Sequence, residues 1–315
     1  MPAGFDRHWR LLALAWLLLG LTLPARAAPL EVLVVASDFS GPYAGVAFAL
    51  SEELARAPAE PARVTRRTIT QAGVGELASA GLVVALGSDA LRHVLDVDAR
   101  TPVLSLLVPR ETYEAFVVGA RRLSDRPVSA IFLDQPAARQ IALVRQILAG
   151  KNRMALLGGA PDNATAKLLL SAARAAGLGA RHLQVASEEE IFGALTTSLV
   201  DADALLVLPD PKLLNARTAR GILLTAYRYQ TPVIGYSESL VRAGAVAALW
   251  STPAAMARQG AGMIQAWRGG GRWPAPAYPL EFEVESNDTV ARSLDLRLRS
   301  IAEIKAAMQR QETRP

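Results

Sequence analysis

The sequence contains no cysteine, and this absence excludes several kinds of site before any motif is considered. A chain without cysteine forms no disulfide bonds and offers no thiolate to zinc, so its stability has to come from a hydrophobic core. Histidine is scarce too, with 3 in 315 residues, of which only His93 and His182 lie beyond the N-terminal segment. These are too few for a histidine-rich metal site. We therefore expect neither a metal ion nor a cofactor.

Blocks of charge and clusters of aromatic residues are also missing. Aromatic residues make up 6% of the chain and charged residues 20%, and the net charge of +5 is spread without a run of lysine and arginine. Nucleic-acid-binding proteins concentrate such charges in a patch or a stripe, so we expect no nucleic-acid partner. Apolar residues make up 51% of the sequence, which is enough for a substantial core.

The chain has no long apolar run, and its one short run marks the N-terminus. LLALAWLLLGLTL spans about 13 residues, whereas a membrane-spanning helix needs roughly 20. Arg7 and Arg10 precede this run, and the small residues of PARAA (24–28) follow it. The order is typical of a secretory signal peptide, so we interpret residues 1–27 as a cleaved leader, with an uncleaved anchor as the alternative. No cysteine stands at the cleavage site, which excludes a lipoprotein.

Beyond the leader, short apolar segments alternate with helical ones, which predicts an α/β fold with parallel sheets. Strands are predicted at 30–36, 63–69, 82–86, 101–106, 153–157, 181–185, 204–208, 232–234, 245–250 and 280–284. Three signals predict helix boundaries: Ser88 as an N-cap, a capping box from Ser187 to Glu190, and Gly177 as the glycine after a helix. An amphipathic helix is predicted at 253–268, and the residues from about 310 are expected to be frayed.

Motifs that would indicate an enzyme are absent. Gly73-Val74-Gly75 and Gly177-Leu178-Gly179 do not extend to the dinucleotide-binding pattern, and GYSES at 235–239 lacks the final glycine of a nucleophile elbow. We therefore expect no catalytic residues. An exported hydrolase that depends on His93 or His182 stays as an alternative.

Four segments carry a family resemblance through their order and spacing, and LVVALGSDALRHVLDVDARTP at 82–102 adds to it less specifically. The four are Asp134-Gln135-Pro136 with the helix at 138–148, the strand and helix of 153–177, YSESLVRAGAVAAL at 236–249, and 280–298 with Asn287, Thr289, Ala291 and Leu294. Together they resemble the periplasmic substrate-binding components of ABC transporters, in the branch that includes tryptophan-type binding proteins.

This resemblance implies the type I periplasmic-binding-protein fold, in which two Rossmann-like lobes with parallel sheets are joined by three hinge crossings. The crossings are expected near residues 126–132, 250–253 and 280–284. The implied domains are an N-terminal lobe of 28–126 plus about 253–280, a C-terminal lobe of 127–252 plus about 281–300, and a C-terminal tail of 301–315.

The function implied is that of a periplasmic protein, expected to be a monomer, which binds a small molecule between its lobes without catalysis. The ligand would be an amino acid or a small anion, delivered to an ABC permease in the inner membrane. Two departures from the family are the LGGAP sequence at 157–161 and a first lobe shortened between Arg67 and Leu82. They support an alternative, an accessory or sensor protein that engages an outer-membrane receptor or a sensor kinase.

Ligands of such sheets lie at the carboxyl ends of the strands, where helix N-termini offer free N–H groups to anions. The candidate binding residues at these ends are Ser37, Asp38, Tyr43, Gly87 and Ser88 in the first lobe, and Asp162, Asn163, Thr165, Asp210, Ser237 and Glu238 in the second. For Ser88, Asn163 and Ser237 the alternative role is helix capping, for Asp210 it is shaping a turn, and for Tyr43 it is packing in a loop.

Overall fold

The computed structural model describes residues 29–56, 62–97, 100–117, 126–148, 150–158, 163–210 and 213–312, which form two α/β lobes. The strands are β1 (Leu30–Ala36), β2 (Ala62–Thr68), β3 (Leu82–Leu86), β4 (Val103–Val108), β5 (Val128–Phe132), β6 (Arg153–Leu157), β7 (Gly179–Leu183), β8 (Ala204–Val207), β9 (Val233–Gly235), β10 (Ala247–Trp250) and β11 (Glu283–Ser286). The helices are α1 (Gly41–Ala55), α2 (Val74–Ser79), α3 (Ser88–Asp96), α4 (Arg110–Val117), α5 (Ala137–Leu148), α6 (Ala164–Ala175), α7 (Glu188–Ser198), α8 (Ala216–Arg228), α9 (Glu238–Ala243), α10 (Pro253–Gly270), α11 (Asp288–Ser293) and α12 (Ile301–Glu312).

The first lobe contains a parallel sheet with the strand order β2-β1-β3-β4-β5. Its inner strands are mainly apolar, such as β1, which is apolar from Val32 to Ala36, and LVVAL in β3, of which every residue is buried. Strands that are covered on both faces need such runs, because neither face meets water. α1 and α10 cover one face, and α2, α3 and α4 cover the other.

The second lobe contains a sheet with the order β11-β10-β9-β8-β6-β7, in which β11 is antiparallel to β10 and the other pairs are parallel. α5, α6, α11 and α12 pack on one face, and α7 and α8 pack on the other. Both lobes are therefore three-layered sandwiches with a core on each side of the sheet.

The chain passes between the lobes three times, at 133–136, 251–252 and 279–282. The predicted fold class, two α/β lobes with parallel sheets joined by three crossings, is confirmed. The first crossing was predicted too early, however, because Val128–Phe132 is not a hinge segment but β5 of the first sheet. The buried Arg126 holds the chain just before this strand, donating hydrogen bonds to Val94 O at 2.9 Å and Thr101 O at 3.1 Å. The predicted lobe boundary at residue 126 is thus one strand too early.

α10 belongs to the first lobe, although it follows the strands of the second. Thr252 caps it, since its Oγ1 accepts the N–H of Ala255 at 3.1 Å, and Pro253 opens it. The helix packs so closely on α1 that a Cβ added to Gly45 would lie 3.0 Å from Pro253. Met256 and Ile264 of this helix are buried in the core of the first lobe.

One of the three predicted helix boundaries is off by one residue, and the other two are observed. Gly87, with φ of +85°, is the N-cap of α3, and Ser88 is the first residue inside the helix. Ser187 is the N-cap of α7 but its side chain makes no capping hydrogen bond, and Glu190 accepts the N–H of Ala186 at 2.9 Å in place of that of Ser187, so the predicted capping box does not form. Gly177, with φ of +76°, follows α6 as predicted.

The predicted C-terminal tail is a helix over most of its length. α12 packs on the second lobe, and Ile304 and Met308, four residues apart on one face, are fully buried in its core. The helix continues to Glu312, past the predicted start of fraying at about residue 310, and residues 313–315 lie outside the described ranges.

No helix in the described ranges is long and apolar enough to cross a membrane. The leader predicted at residues 1–27, with its cleavage site, lies outside those ranges.

Candidate ligand-binding cleft

A cavity of about 770 Å³ lies between the two lobes. It sits where strands of both sheets reach their carboxyl ends, the position at which open α/β sheets bind ligands. Its volume falls within the roughly 300–1,000 Å³ of small-molecule sites. The first lobe and first crossing contribute Pro42, Tyr43, Leu107, Leu133 and Met256, and the second lobe and second crossing contribute Leu214, Asn215, Ala219, Arg220, Tyr236, Ser237, Ser239, Leu240, Ala243, Trp250 and Ser251.

Most of the cavity wall is apolar. It combines leucines from both lobes with the thioether of Met256 and the ring of Trp250. The polar groups are hydroxyls, the Asn215 amide and the guanidinium of Arg220. A wall of this kind suits a ligand with an apolar body and few polar groups, because each polar group of the ligand needs its own partner.

Two tyrosines line the cavity from opposite lobes. Burial raises the pKa of the Tyr43 hydroxyl, helped by the charges of Asp89 and Asp38. Burial also raises the pKa of Tyr236 to about 12, with a smaller effect of Asp210. Both phenols are therefore protonated at neutral pH, and neither has a hydrogen-bond partner among the described residues. They are two unused donors in one cavity.

Gly87 determines where the Tyr43 ring lies. Its φ of +85° suits glycine, and a Cβ added there would approach the Tyr43 hydroxyl to 2.4 Å. The phenol occupies the space that a side chain at residue 87 would fill. Gly87 thus sets the position of the Tyr43 ring in the cavity wall.

A β-bulge in β4 places Leu107 in the cavity wall. The pairing of β4 with β5 shifts register between Leu106 and Val108, and Leu107 has a φ of +60°. Its two neighbours are buried in the core, whereas Leu107 lines the cavity. A left-handed leucine is costly, and such conformations cluster at functional sites. The bulge thus directs the apolar side chain of Leu107 into the cavity wall, a direction that a regular strand would not give it.

Four of the residues predicted from the sequence lie in cavities between the lobes. Tyr43 and Ser237 line the large cavity, and Ser237 also caps α9 by accepting the N–H of Leu240 at 3.4 Å. Ser88 and Asp210 line a second cavity of about 320 Å³, enclosed by α3 and α4 of the first lobe and by loops of the second. Their contact with a ligand stays a prediction.

Ser37, Asp38 and Glu238 are among the predicted residues that line neither of these cavities. Asp38 shapes the turn before α1, since its Oδ1 accepts the N–H of Ser40 at 2.8 Å, and hydrogen bonds from Ser40 lower its pKa. Ser37 precedes this turn. Glu238 forms an ion pair with Arg242, one turn further along α9.

Asn163 joins the two lobes outside the large cavity. Its Oδ1 accepts the N–H of Ala166 at 2.9 Å and caps α6, while its amide donates a hydrogen bond to the carboxylate of Glu111 in α4 of the first lobe. The Oγ1 of Thr165 is buried without a hydrogen-bond partner in the described part of the chain. Asp162, also predicted, lies outside the described residues.

A hydrogen-bond network connects the three crossings. Gln135 Nε2 donates to Ser251 Oγ at 2.8 Å, and Ser251 Oγ donates to Glu281 O at 2.5 Å. Arg139 donates to Gln135 Oε1 at 2.7 Å and to Pro279 O at 3.0 Å. Because Ser251 also lines the cavity, the wall and the hinge share one residue.

The C-terminal helix is attached to this network. Arg139 is buried, forms an ion pair with Glu312 at the end of α12, and lies 4.5 Å from the centre of the Phe282 ring. Its guanidinium thus contacts the first crossing, the third crossing and α12.

Asp134 is a buried carboxyl group in the first crossing. Desolvation raises its pKa to about 6, although its Oδ2 accepts the N–H of Arg110 at 2.5 Å. It holds the start of α4, the helix that carries Glu111 to the other lobe.

The two histidines of the described chain serve the fold. His93 Nε2 lies 3.1 Å from Ala72 O, and His182 Nε2 lies 2.9 Å from Gly158 O. Neither lines the large cavity or the smaller one described above. The described ranges also contain no cluster of three or more histidine, aspartate or glutamate side chains that could hold a metal ion.

Sequence reasoning missed Tyr236, Leu107 and Arg220. Tyr236 follows β9 directly, so the rule that selected Ser237 and Glu238 could have selected it as well. Leu107 depends on a register shift, which leaves no mark in an apolar strand. Arg220 lies inside α8, away from any strand end.

Neither a protein-family model nor a curated protein sequence matches this chain. Solved structures do match over most of its length. An ABC domain from Streptococcus pneumonia in complex with L-Trp has a TM-score of 0.63 at 15% identity, covering 88% of this chain and 98% of that one. A ligand-free, open substrate-binding protein with adhesive properties from Clostridium difficile has a TM-score of 0.64 at 12% identity, covering 86% and 96%.

A transcriptional regulator in complex with cellobiose also matches, with a TM-score of 0.50 at 18% identity and 90% of each chain covered. At such identities the likeness establishes the fold and leaves the ligand open. The chain has the fold of the type I periplasmic binding proteins, as the resemblance in its sequence implied.

Proposed function

We propose that the chain is a non-catalytic solute-binding protein that encloses a small molecule between its two lobes. The observation that carries this proposal is the cavity of about 770 Å³, whose walls come from both lobes and which lies beside the crossings. A ligand that contacts both lobes binds the closed arrangement better than the open one, so binding and closure are coupled.

The proposed setting is the periplasm, where the protein would deliver its ligand to an ABC permease in the inner membrane. The leader pattern of residues 1–27 and the family resemblance support this setting. Adjacent genes for a permease and an ATPase are the expected genomic context. A receptor or sensor-kinase gene in their place would favour the accessory alternative.

Ligand-dependent stabilisation tests the proposal most directly. A solute that binds the folded state raises the unfolding temperature by mass action. We expect a thermal-shift screen of amino acids, nucleosides, sugars and small organic anions to give at least one compound, which calorimetry then confirms at one site. A flat result across such a library would contradict solute binding.

A matched pair of variants on α8 tests whether binding occurs in this cavity. Ala219 lines the cavity, whereas Leu224, on the same helix, is 52% exposed. Ala219→Trp places an indole in the ligand volume and should weaken binding at least tenfold, while Leu224→Trp should not change the dissociation constant. Equal affinities of the two variants would place the ligand elsewhere.

A further inference from the structure

Arg220 is the one charged side chain among the described residues that line the cavity. It lies on α8, one turn beyond the start of the helix. Arg217 on the same helix pairs with Glu188 at 2.6 Å, whereas Arg220 has no ion pair and no hydrogen bond to any described residue. Its planar guanidinium is therefore free to bind an anion, and its geometry fits both oxygens of a carboxylate.

No aspartate or glutamate lines this cavity in the described chain. On the flanking helices, Glu188 is paired with Arg217 and Glu238 with Arg242. An ammonium group bound here would have no carboxylate partner, and an unpaired charge taken out of water is costly. The one charged group in the wall is thus a cation, and the carboxylates of Asp38, Asp89 and Asp210, whose charges act on Tyr43 and Tyr236, lie outside the wall. The wall itself therefore favours an anion.

The cavity wall carries two unused hydrogen-bond donors, the phenols of Tyr43 and Tyr236. The indole N–H of Trp250 also lacks an acceptor among the described residues, but it is buried behind the wall. The acceptors Asn215 Oδ1 and Ser251 Oγ are already occupied by Arg217 and by Gln135. A ligand that brings acceptor oxygens would therefore find donors in both lobes.

The rest of the wall is apolar and comes from both lobes, with Leu107 and Met256 on one side and Leu214 and Leu240 on the other. We propose that the cavity takes an amphipathic monocarboxylate, with an aromatic or branched hydrocarbon body and without an amino group. The carboxylate binds Arg220, and the hydrocarbon body lies against the leucines. This inference rests on the proposed function, since it names the class of solute for the same cavity.

Four probes that share a phenylalkyl body and differ in the charged or polar groups on it test the inference. They are 3-phenylpropionate (anion), 3-phenylpropionamide (neutral), L-phenylalanine (zwitterion) and 2-phenylethylamine (cation), each measured by calorimetry on the full protein. We expect 3-phenylpropionate to bind at least tenfold more tightly than each of the other three, a difference of about 1.4 kcal/mol. Equal or tighter binding of L-phenylalanine or of the amine would overturn the inference.

A variant assigns the charge preference to Arg220. Arg220→Gln should weaken the binding of 3-phenylpropionate much more than that of its amide, and so remove most of the preference for the anion. Arg217→Gln, one turn away and paired with Glu188, should keep the preference. The unfolding temperature of each ligand-free variant shows that it folds. A preference retained by Arg220→Gln would contradict the assignment.

The failure of this inference is distinguishable from that of the proposed function. If the library screen finds ligands whose binding is weakened by Ala219→Trp, and these are sugars, cations or zwitterions, solute binding in the cavity stands and the anion inference fails. If no compound of any class binds, both fail. If the compounds that bind are monoanions with an apolar body of another shape, the inference stands, and their shape defines the hydrocarbon body that the cavity accepts.

Discussion

Gly87 shows how one residue outside the cavity wall controls the wall. Gly87→Ala would add a Cβ where φ is +85° and where the Tyr43 hydroxyl lies 2.4 Å away. We expect the unfolding free energy to fall by about 1–3 kcal/mol and the ligand affinity to fall with it, because the ring of Tyr43 must move. Chemical denaturation and calorimetry measure the two effects. Gly193→Ala, in α7 with nothing near its added Cβ, is the control and should be neutral or slightly stabilising. Unchanged affinity in Gly87→Ala would contradict the role given to Tyr43.

Asp134 gives the stability a defined pH dependence. Its folded pKa of about 6 lies above the unfolded value of about 3.9. Between these values the folded protein holds a proton that the unfolded chain has lost, so this group's contribution to stability falls as pH rises from about 4 to 6. The buried charge then costs roughly 3 kcal/mol at neutral pH. An asparagine at residue 134 does not ionise, so Asp134→Asn avoids this cost. The unfolding free energy of the variant should therefore rise relative to that of the wild type between about pH 4 and pH 6, which urea unfolding at a series of pH values measures.

Asp203 is a control for which the pH dependence of stability has the opposite sign. Hydrogen bonds from Arg153 lower its pKa, so it contributes stability above the unfolded pKa, and this contribution is lost as pH falls. Asp203→Asn should therefore become less stable relative to the wild type as pH rises. Parallel stability curves for Asp134→Asn and the wild type would show that Asp134 is not the buried acid described.

At the scale of elements, α12 is part of the second core. Ile304 is fully buried in it, and its truncation leaves a cavity that neighbours fill only in part. We expect Ile304→Ala to lower the unfolding free energy by about 2–5 kcal/mol, measured by denaturant titration. Gln311→Ala, exposed on the same helix, should stay within about 0.5 kcal/mol of the wild type. If both variants match the wild type, α12 is a tail as the sequence suggested.

The elements that sequence patterns predicted well are those whose environment is uniform. β1, β3 and β6 have the predicted bounds, because continuous apolar runs between polar turns leave little choice of register. α12 was misread because its composition is polar, with buried residues only at Ile304 and Met308. The role of β5 was missed because Arg126-Pro127 resembles a linker, while the hydrogen bonds that tether Arg126 come from residues distant in sequence.

The cavity was less predictable than the fold for a physical reason. Strand ends locate the rim, and Tyr43 and Ser237, which were chosen by this rule, line the cavity. The rest of the wall depends on packing between the lobes, on the bulge at Leu107, and on the side of α8 that carries Arg220. Such features follow from contacts between segments far apart in the sequence.

At the scale of the whole molecule, Asn163 links the lobes through its hydrogen bond to Glu111. Asn163→Asp keeps an oxygen to cap α6 but sets two carboxylates against each other across the cleft. We expect near wild-type unfolding free energy, a larger radius of gyration in X-ray scattering, and ligand affinity reduced severalfold, because closure now brings like charges together.

A second substitution tests this explanation by rescue. Glu111→Gln in the Asn163→Asp background removes the repulsion and should restore both the radius of gyration and the affinity. If Asn163→Asp matches the wild type in scattering and in binding, the contact does not influence closure. If the double variant stays open, the repulsion is not the cause.

The path of the chain has a consequence for synthesis. The strands of the first sheet are complete by Phe132, yet α10, which covers part of one face, ends only at Gly270. Until that helix emerges from the ribosome, Leu104 and Leu106, which pack against Gly260, have no partner there. The second lobe closes later still, with β11 and α12. The nascent chain therefore exposes an apolar surface during the synthesis of more than a third of its length, and chaperones recognise such surfaces. Neither lobe can be completed before the other is largely translated.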